Sequence, residues 1–474
     1  MTENEETILI LGGGLAGVTA AHELSRRGAS VILVEREEEV GGLAKSLTHT
    51  SENGEFTYDI GPHRFHSTDP RVHEATLSIL GENVVERERL SRIFLYDKFF
   101  HYPLKLGSAL TKLPKLVMLR ALFDYAAQSV KNVFSRGGDE NFESWVVRRF
   151  GRKLFNIFFG VYTEKTWGVP CTEISSDWAA QRISQTSLLN TVKTALFRPK
   201  GDVRSLISTF HYPAHGGIGE ISRAFRTSAV SNGAQVHLKT EVQEILVEDG
   251  VCLGVRVRDE NGEEREIRAD RVLNTIPLTN LVRLSKSATD DTILDHVDKM
   301  RHRSMVFVYL VLDREQLTPD HWLYIPEASL TFHRLSEYKN FSDHCAPRGK
   351  TMICAEITCD HGDDVWTDTD ENLRRITVDD LAKIGLVKPS EVLETFTHRE
   401  VYAYPLYTLG YREHLDAVLQ WIDGIQNLDS TGRQGLFKYN NMDHSIAMGL
   451  TAADALLEGN ADHRAVASGK EYFG

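Results

Sequence analysis

The sequence predicts an α/β protein: a discontinuous Rossmann-like dinucleotide-binding domain that carries a helical insertion and an antiparallel sheet domain for substrate. Three observations predict it. The chain opens on an apolar run, a glycine-rich turn and a helical pattern, all within its first 27 residues. A middle stretch, from about Lys105 to Phe197, repeats apolar residues at three- and four-residue spacing, as in LVMLRALFDYAAQSVKNVF. Two later runs, Met305 to Leu312 and Thr351 to Thr358, are alternating or continuously apolar, as strands of a covered sheet are.

The opening element is Thr7 to Leu11 (TILIL), suited to a buried parallel strand, and it feeds into Gly12-Gly13-Gly14-Leu15-Ala16-Gly17. Gly12 permits the tight turn, Gly14 lets the backbone approach a pyrophosphate, and Gly17 lets the helix lie close on the strand. Leu15 and Ala16 begin that helix, whose positive end meets the phosphates. A second strand, Val31 to Val34, ends in Glu35, about twenty positions on, where a carboxylate can accept hydrogen bonds from ribose hydroxyls. An acid there favours an unphosphorylated ribose. A lone glycine cluster can also be a plain turn, so the following segments decide. After Arg36 comes Gly41-Gly42-Leu43-Ala44-Lys45-Ser46, the second glycine pair that FAD folds of the glutathione-reductase type place beside the pyrophosphate. Further on, Glu241 to Ile245 precedes a hairpin-like stretch, Cys252 to Arg258, and then Ala269 to Pro277. That order resembles the returning segment of amine-oxidase-like flavoproteins, which implies FAD as cofactor and a backbone contact from Val242 to its adenine.

The FAD domain is therefore expected in three pieces, residues 1–104, 205–300 and 401–474, with the helical insertion at 105–204 and the antiparallel sheet at 301–400. Pro103, Pro114 and Pro170 punctuate the insertion. Leu116 to Phe134 reads as a helix with one buried face or as a membrane-surface helix, and interior arginine, aspartate and lysine fit the first. The formal charge of -13 over 474 residues argues against nucleic acid and anionic membranes as general partners, so an anionic substrate needs locally placed arginines. Five cysteines without a CxxC pair fit reduced thiols. The acidic start MTENEET and the lack of a long apolar stretch lead to the expectation of a cytoplasmic protein without integral membrane segments.

Five separated blocks resemble the flavin-dependent UDP-galactopyranose mutases, within the superfamily of amine oxidases and protoporphyrinogen oxidases. They are Tyr58-Asp59-Ile60-Gly61-Pro62-His63-Arg64-Phe65-His66-Ser67; Tyr162 to Pro170 running on to Trp178 and Arg182; Phe332-His333-Arg334-Leu335 with Asn340-Phe341-Ser342; Tyr402-Ala403-Tyr404-Pro405; and Gly432-Arg433 through Tyr439, Asn441, Met442, Asp443, His444 and Ser445. The resemblance implies that Gly61, Pro62 and His63 lie against the flavin, with His63 near N5. Its residue-level alternative is a satisfied core or surface histidine. Arg182 stands four residues after Trp178 and so on the same helix face. Arg334 falls on a strand or turn. Two arginines from distant segments suit a diphosphate, because guanidinium forks match phosphate oxygens and stay charged, although surface ion pairing is the ordinary use of arginine. Tyr404 and Tyr439 offer hydroxyls to the same phosphates or are buried structural tyrosines. Trp167 reads as core, with a pocket wall as its other reading. Asn441, Met442 and Ser445 are expected where a helix begins beneath the flavin pyrimidine.

The resemblance implies a pyranose/furanose isomerase for a nucleotide-diphosphate sugar, with reduced FAD N5 as nucleophile, NADH or NADPH as reductant, and His63, Arg182 and Arg334 in the catalytic set. No Ser/His/Asp nucleophile motif or metal-ligand spacing such as HExxH competes with it. Two departures stand out. Proline precedes His63 and restricts the backbone of a loop that the mutases keep mobile, and Arg64 to Ser67 differs from close relatives. The alternative is an FAD-dependent oxidoreductase for an amine, porphyrinogen or carotenoid-like substrate. Against it, Gly41-Gly42-Leu43 lacks the arginine that most amine oxidases carry after the glycine pair.

Overall fold

The strand Thr7–Leu11 lies at the centre of a five-stranded parallel sheet, flanked by Ser30–Val34 and Arg271–Asn274, with Gln235–His237 and Leu428–Ser430 at the edges. The computed structural model describes residues 6–102, 112–134, 138–182, 208–459 and 461–466. A parallel sheet is covered on both faces, so its strands read as continuous apolar runs. Ile8 and Ile10 pack with the helix Leu15–Arg26, whereas Leu9 and Leu11 face a second core shared with the antiparallel meander Glu241–Glu248, Val251–Arg258 and Glu264–Arg268. Sheet neighbours thus come from the beginning, middle and end of the chain. The closing helix Met442–Glu458 crosses the first helix at very short range: a Cβ on Gly449 would stand 2.4 Å from the Ala16 carbonyl oxygen.

The larger sheet has seven strands, in the order Val392–Pro405, His302–Leu312, Thr351–Cys359, Arg334–Glu337, Trp322–Tyr324, Ser91–Leu95 and Lys98–His101. All its pairs are antiparallel except Trp322–Tyr324 with Ser91–Leu95, which runs parallel because the two strands come from distant stretches and no hairpin joins them. Side chains of His302–Leu312 alternate between two cores, as the two-residue period of a strand requires. Met305, Phe307, Tyr309 and Val311 pack towards the dinucleotide sheet, while Val306, Val308, Leu310 and Leu312 pack against Leu373 and Leu381 of the helix Asp370–Lys383. The α/β fold with a Rossmann-like sheet and a second, mainly antiparallel sheet is the one expected from the sequence.

The described part of the insertion is helical, as its periodicity predicts: Lys115–Phe134, Phe142–Phe150, Arg152–Leu154, a π-helical turn Phe155–Phe159, Gly160–Trp167 and Ser176–Arg182. Its longest helix differs from the one-sided pattern expected. Ala121 is buried and Met118 and Tyr125 are half-buried, but Leu116, Leu119, Leu122, Phe123 and Val130 are exposed, Phe123 at 79%. Apolar residues occupy both sides of this helix, and only short helices are available to cover one of them. No helix among the described residues is long and apolar enough to cross a membrane. All five cysteines are buried and unpaired, in keeping with reduced thiols.

One carboxylate joins the two sheets. Asp59 ends the strand Gly54–Asp59 and is fully buried. Its Oδ1 accepts from the Ser46 hydroxyl at 2.5 Å and the Ile218 amide at 3.2 Å, and its Oδ2 from the Tyr212 hydroxyl at 2.7 Å. The backbone oxygen of Asp59 accepts from the hydroxyls of Tyr309 at 2.9 Å and Tyr338 at 2.7 Å, both in the larger sheet layer. Burial pushes the Asp59 carboxyl from an ordinary 3.8 up to about 7, with the hydroxyls of Ser46 and Tyr212 pulling the other way. The folded protein then holds a proton that the unfolded chain releases near pH 4, roughly, so this contribution to stability is complete below that pH and is lost as pH rises towards 7. Asp59→Asn carries no titrating group. Its melting temperature should decline less than that of the wild type between about pH 4 and 7, and parallel profiles would refute the assignment.

Candidate active site

The dinucleotide cradle forms where the first strand turns into its helix. Gly12 has a φ of +97°, which a side chain rarely tolerates, and the Cβ of any replacement would meet Thr275 Oγ1 at 2.8 Å. Gly17 sits so close on the turn that a Cβ would stand 2.0 Å from the Gly12 carbonyl oxygen. Around Gly14, by contrast, a Cβ would meet nothing within 4 Å. The helix starts there without a side-chain cap, so the N–H groups of its first turn, from Leu15, Ala16 and Gly17, are left to serve an anion. The second glycine turn folds onto the first: the Gly41 amide donates to the Gly13 carbonyl at 2.8 Å, and Gly42-Leu43-Ala44 forms a single tight helical turn with Ala44 buried. Bare space in front of an uncapped helix end fits a pyrophosphate.

Glu35 stands at the end of the second strand as expected. Its Oε2 accepts from the Gly13 amide at 2.6 Å and its Oε1 from the Glu37 amide at 2.9 Å, while burial pushes its carboxyl above the usual range. The amide of Thr240 donates to the Glu35 carbonyl at 2.8 Å, which brings the start of the meander, with half-buried Val242, beside the acid. Arg36 points elsewhere: it pairs with Glu37 at 3.1 Å on the exposed surface. At the far end of the cradle, Asn441 precedes the helix Met442–Glu458, and its amide donates to His444 Nδ1 at 3.4 Å. Met442 and Ser445 are buried in the first turn, with the Ser445 hydroxyl 3.3 Å from Asn440 Oδ1.

His63 follows a tight turn in which its amide donates to the Gly61 carbonyl at 2.9 Å. Its Nδ1 is buried with no hydrogen-bond partner. Burial, then the positive fields of Arg334, Arg433 and Arg64, lower its pKa to about 3, so the imidazole is neutral. Gly61 brings this turn against a buried ion pair: a Cβ there would lie 3.5 Å from Glu356 Oε2 and 3.6 Å from Arg334 Nη2. Arg334 and Glu356 are directly opposed on antiparallel strands, and the guanidinium forks onto the carboxylate with Nε to Oε1 at 2.7 Å and Nη2 to Oε2 at 2.5 Å. Arg334 Nη2 also donates to the Tyr404 hydroxyl at 3.1 Å. A fork of this kind fixes the guanidinium plane.

Aromatic rings line the rest. Tyr404 and Tyr439 have ring centres 5.2 Å apart, and Trp167 backs both at 5.6 and 5.9 Å. Trp167 is buried, the core position expected of it, and it also walls the tyrosine pair. Burial raises the hydroxyl pKa of Tyr404 and of Tyr162 beyond the usual range, so both remain proton donors. Arg433 covers the pair from the other side, 4.7 Å from the Tyr439 ring, while donating to the carbonyls of Asn440 and Ala403. Trp178 meets Trp167 at 5.3 Å, which sets the helix Ser176–Arg182 beside this wall; Arg182 closes that helix, and its side chain lies outside the described residues. The structure therefore brings His63, Arg334, Tyr404, Tyr439 and Trp167 together. Sequence reasoning gave no role to Glu356, Tyr162 or Arg433. A lone acid inside the apolar run TMICAEITC was the available signal for Glu356.

Two substitutions separate the cradle's two kinds of glycine. Gly14→Ala should leave the stability of the cofactor-free protein within about 1 kcal/mol of wild type but lower the flavin retained through purification, because its methyl group fills the open space. Gly17→Ala should instead destabilise the protein itself by about 1–3 kcal/mol through the clash with Gly12. Flavin absorbance per mole and chemical denaturation measure the two effects, and equal behaviour of the variants would contradict the cradle.

Known proteins bear on this geometry. A crystal structure of reduced UDP-galactopyranose mutase superposes with a TM-score of 0.85 at 23% identity, covering 98% of this chain and 96% of that one. Over 448 residues the chain is 24% identical to a 4,4'-diapophytoene desaturase (4,4'-diapolycopene-forming) of Methylomonas sp, spanning 81% of this chain and 80% of the relative. Over 179 residues it is 24% identical to a protein described as a UDP-galactopyranose mutase from Klebsiella pneumoniae, spanning 36% of this chain and 43% of the relative. The family model for flavin containing amine oxidoreductases matches residues 15–457, from the turn that begins the cradle to the end of the helix that closes it. The chain belongs to that family and is a flavin-dependent enzyme, with FAD the cofactor that membership implies.

Proposed function

We propose that the enzyme isomerises the sugar of a nucleotide diphosphate between pyranose and furanose forms, in the manner of the UDP-galactopyranose mutases, with FAD kept reduced by NADH or NADPH. The observation that carries this reading is the Arg334 guanidinium, fixed by Glu356 next to the Tyr404 hydroxyl and against the turn that bears His63. The likeness in fold to a reduced mutase over 98% of the chain supports it.

In this reading Arg334 and Arg182 hold the diphosphate, and the Tyr404 and Tyr439 hydroxyls donate to its oxygens. Glu356 positions Arg334 and offsets its charge, so the site binds the diphosphate without holding it irreversibly. Trp167 supports the two tyrosines from behind. Reduced FAD, when bound, supplies a nucleophilic N5 for the anomeric carbon. His63, neutral because burial and three guanidiniums disfavour its charged form, would lie at the flavin without adding a positive charge there. Retaining the departing diphosphate between arginines makes its recapture effectively intramolecular. The first turn of Met442–Glu458, with Asn441 and Ser445, would favour negative charge on the flavin pyrimidine.

The desaturase relative matches a longer stretch than the mutase relative does, 81% against 36% of this chain, and favours a second reading as a flavin oxidoreductase. In that case the Arg334–Glu356 pair is structural. Anaerobically reduced enzyme incubated with UDP-galactopyranose should give the furanose isomer. Peroxide formation or flavin reduction by an amine or polyene, without isomer, supports the second reading instead. UDP should shift the flavin absorbance and raise the melting temperature, and Arg182→Ala or Arg334→Lys should weaken that response by roughly tenfold or more. The lysine variant keeps a partner for buried Glu356 while losing the fork. No response to any nucleotide diphosphate would overturn the mutase reading.

A further inference from the structure

The helix Lys115–Phe134 leaves an apolar side uncovered. Leu116, Leu119, Phe123 and Val130 are each between 58% and 79% exposed, and Leu122 is exposed beside them. Their spacing of three, four and seven residues sets them along one face of the helix, whose twenty residues span about 30 Å. Buried Ala121, with half-buried Met118 and Tyr125, holds the opposite face against the rest of the insertion. Single exposed leucines are ordinary, but a continuous apolar stripe with a polar border marks a surface that something covers.

The border of this stripe is cationic. Arg120 and Lys131 stand eleven residues apart, three helical turns, and so lie along one edge of it, while Lys115 stands at its start. All three are exposed. The one acid of the helix, Asp124, is half-buried, and its carboxylate accepts from the Lys153 amide at 2.8 Å. Behind Lys131 lies a cavity of roughly 270 Å³, lined by Lys131 together with Asn132, Glu143, Ser144, Arg148 and Arg152. Arg148 pairs with Asp139 at 3.1 Å and Arg152 with Glu143 at 2.6 Å, so the cavity wall carries three cations and one carboxylate. It has room and charge for a phosphate group.

A second copy of the chain fits this face poorly. A two-fold contact sets one patch against itself, so Lys115, Arg120 and Lys131 would meet like charges with no exposed acid on the helix to answer them. An anionic bilayer fits it well, because interfacial helices bury an apolar stripe at the acyl boundary and set lysine and arginine on lipid phosphates. The chain as a whole carries a formal charge of -13, so the attraction is confined to this side and fixes the orientation. We propose that Lys115–Phe134 is a membrane-docking helix: Leu116, Leu119, Phe123 and Val130 enter an anionic leaflet, Arg120 and Lys131 lie among its phosphates, and the cavity behind Lys131 takes a headgroup. The contact is interfacial, since no helix among the described residues is long and apolar enough to cross a bilayer. The insertion that supplies Trp167 is then the membrane-facing side of the enzyme, whichever reaction the flavin performs.

The test is flotation of the FAD-loaded enzyme with vesicles of phosphatidylcholine alone and of phosphatidylcholine mixed with phosphatidylglycerol. The wild type should partition onto the anionic vesicles roughly tenfold or more better than onto the neutral ones, and added salt should weaken the preference. Leu119→Gln with Phe123→Gln should remove binding to both kinds of vesicle. FAD content and melting temperature should stay close to wild type in that variant, because glutamine keeps the helix and both side chains are exposed. Arg120→Gln with Lys131→Gln should abolish the preference for anionic lipid and leave the weaker binding to neutral vesicles. Equal partitioning of the wild type onto both vesicles overturns the proposal, as does failure to bind either. Undiminished binding by the Leu119 and Phe123 double variant overturns it too. A wild type that sediments as a dimer, binds no vesicle and becomes monomeric through that double substitution assigns the face to a second copy of the chain instead.

Discussion

Asp59 ties the two sheet layers together, accepting hydrogen bonds at both carboxylate oxygens and at its backbone oxygen. The Asp59 carboxylate gathers the Ser46 hydroxyl, the Tyr212 hydroxyl and the Ile218 amide from the dinucleotide side, and its backbone oxygen gathers Tyr309 of the other sheet and Tyr338 just past that sheet's strand Arg334–Glu337. Two residues later the chain makes the turn at Gly61 that delivers His63 against Arg334 and Glu356. The distance between the flavin cradle, built on one sheet, and the arginine fork, built on the other, is therefore set by a hydrogen-bonded knot with no solvent to soften it. Fully satisfied buried networks specify one arrangement because any shift leaves an expensive unpaired group.

Charge is rationed in the same region. The protein is acidic overall, yet the described site concentrates Arg64, Arg334 and Arg433 around a neutral histidine. Two of these are restrained by the fold itself, Arg334 by Glu356 and Arg433 by main-chain carbonyls. Removing one member of a buried ion pair typically costs about 3–5 kcal/mol because the other is left uncompensated. That cost explains why Glu356, which touches no obvious ligand space of its own, belongs with the site: it holds the guanidinium plane in one orientation before any substrate arrives.

Much of the cradle was legible because it is local. Gly12, Gly14 and Gly17 act within one turn, and Glu35 follows by a fixed strand length, so spacing alone assigns them. Arg334 was found as a residue but not as a pair. Its partnership with Glu356 depends on strand register across 22 positions, which no local pattern encodes. Arg36 lies beside Glu35 in sequence, but the strand end turns it outward to Glu37. The helix Lys115–Phe134 carries apolar residues on two sides, so its period announced a helix without saying which side is covered, and Leu119 and Phe123 proved to be outside.

The origin of the five parallel strands bears on how this protein comes into being. Strands that touch in the finished sheet are drawn from residue 7 to residue 430, so the central strand lacks one flank until Arg271–Asn274 has left the ribosome, and the sheet lacks an edge until Leu428–Ser430 follows. Leu9 and Leu11, which end completely buried, wait meanwhile with open strand edges. Synthesis at about 5–20 residues per second makes that wait tens of seconds long, roughly. A truncation before Leu428 therefore removes the last edge strand and the closing helix together, and leaves Arg271–Asn274 as an open edge of the sheet.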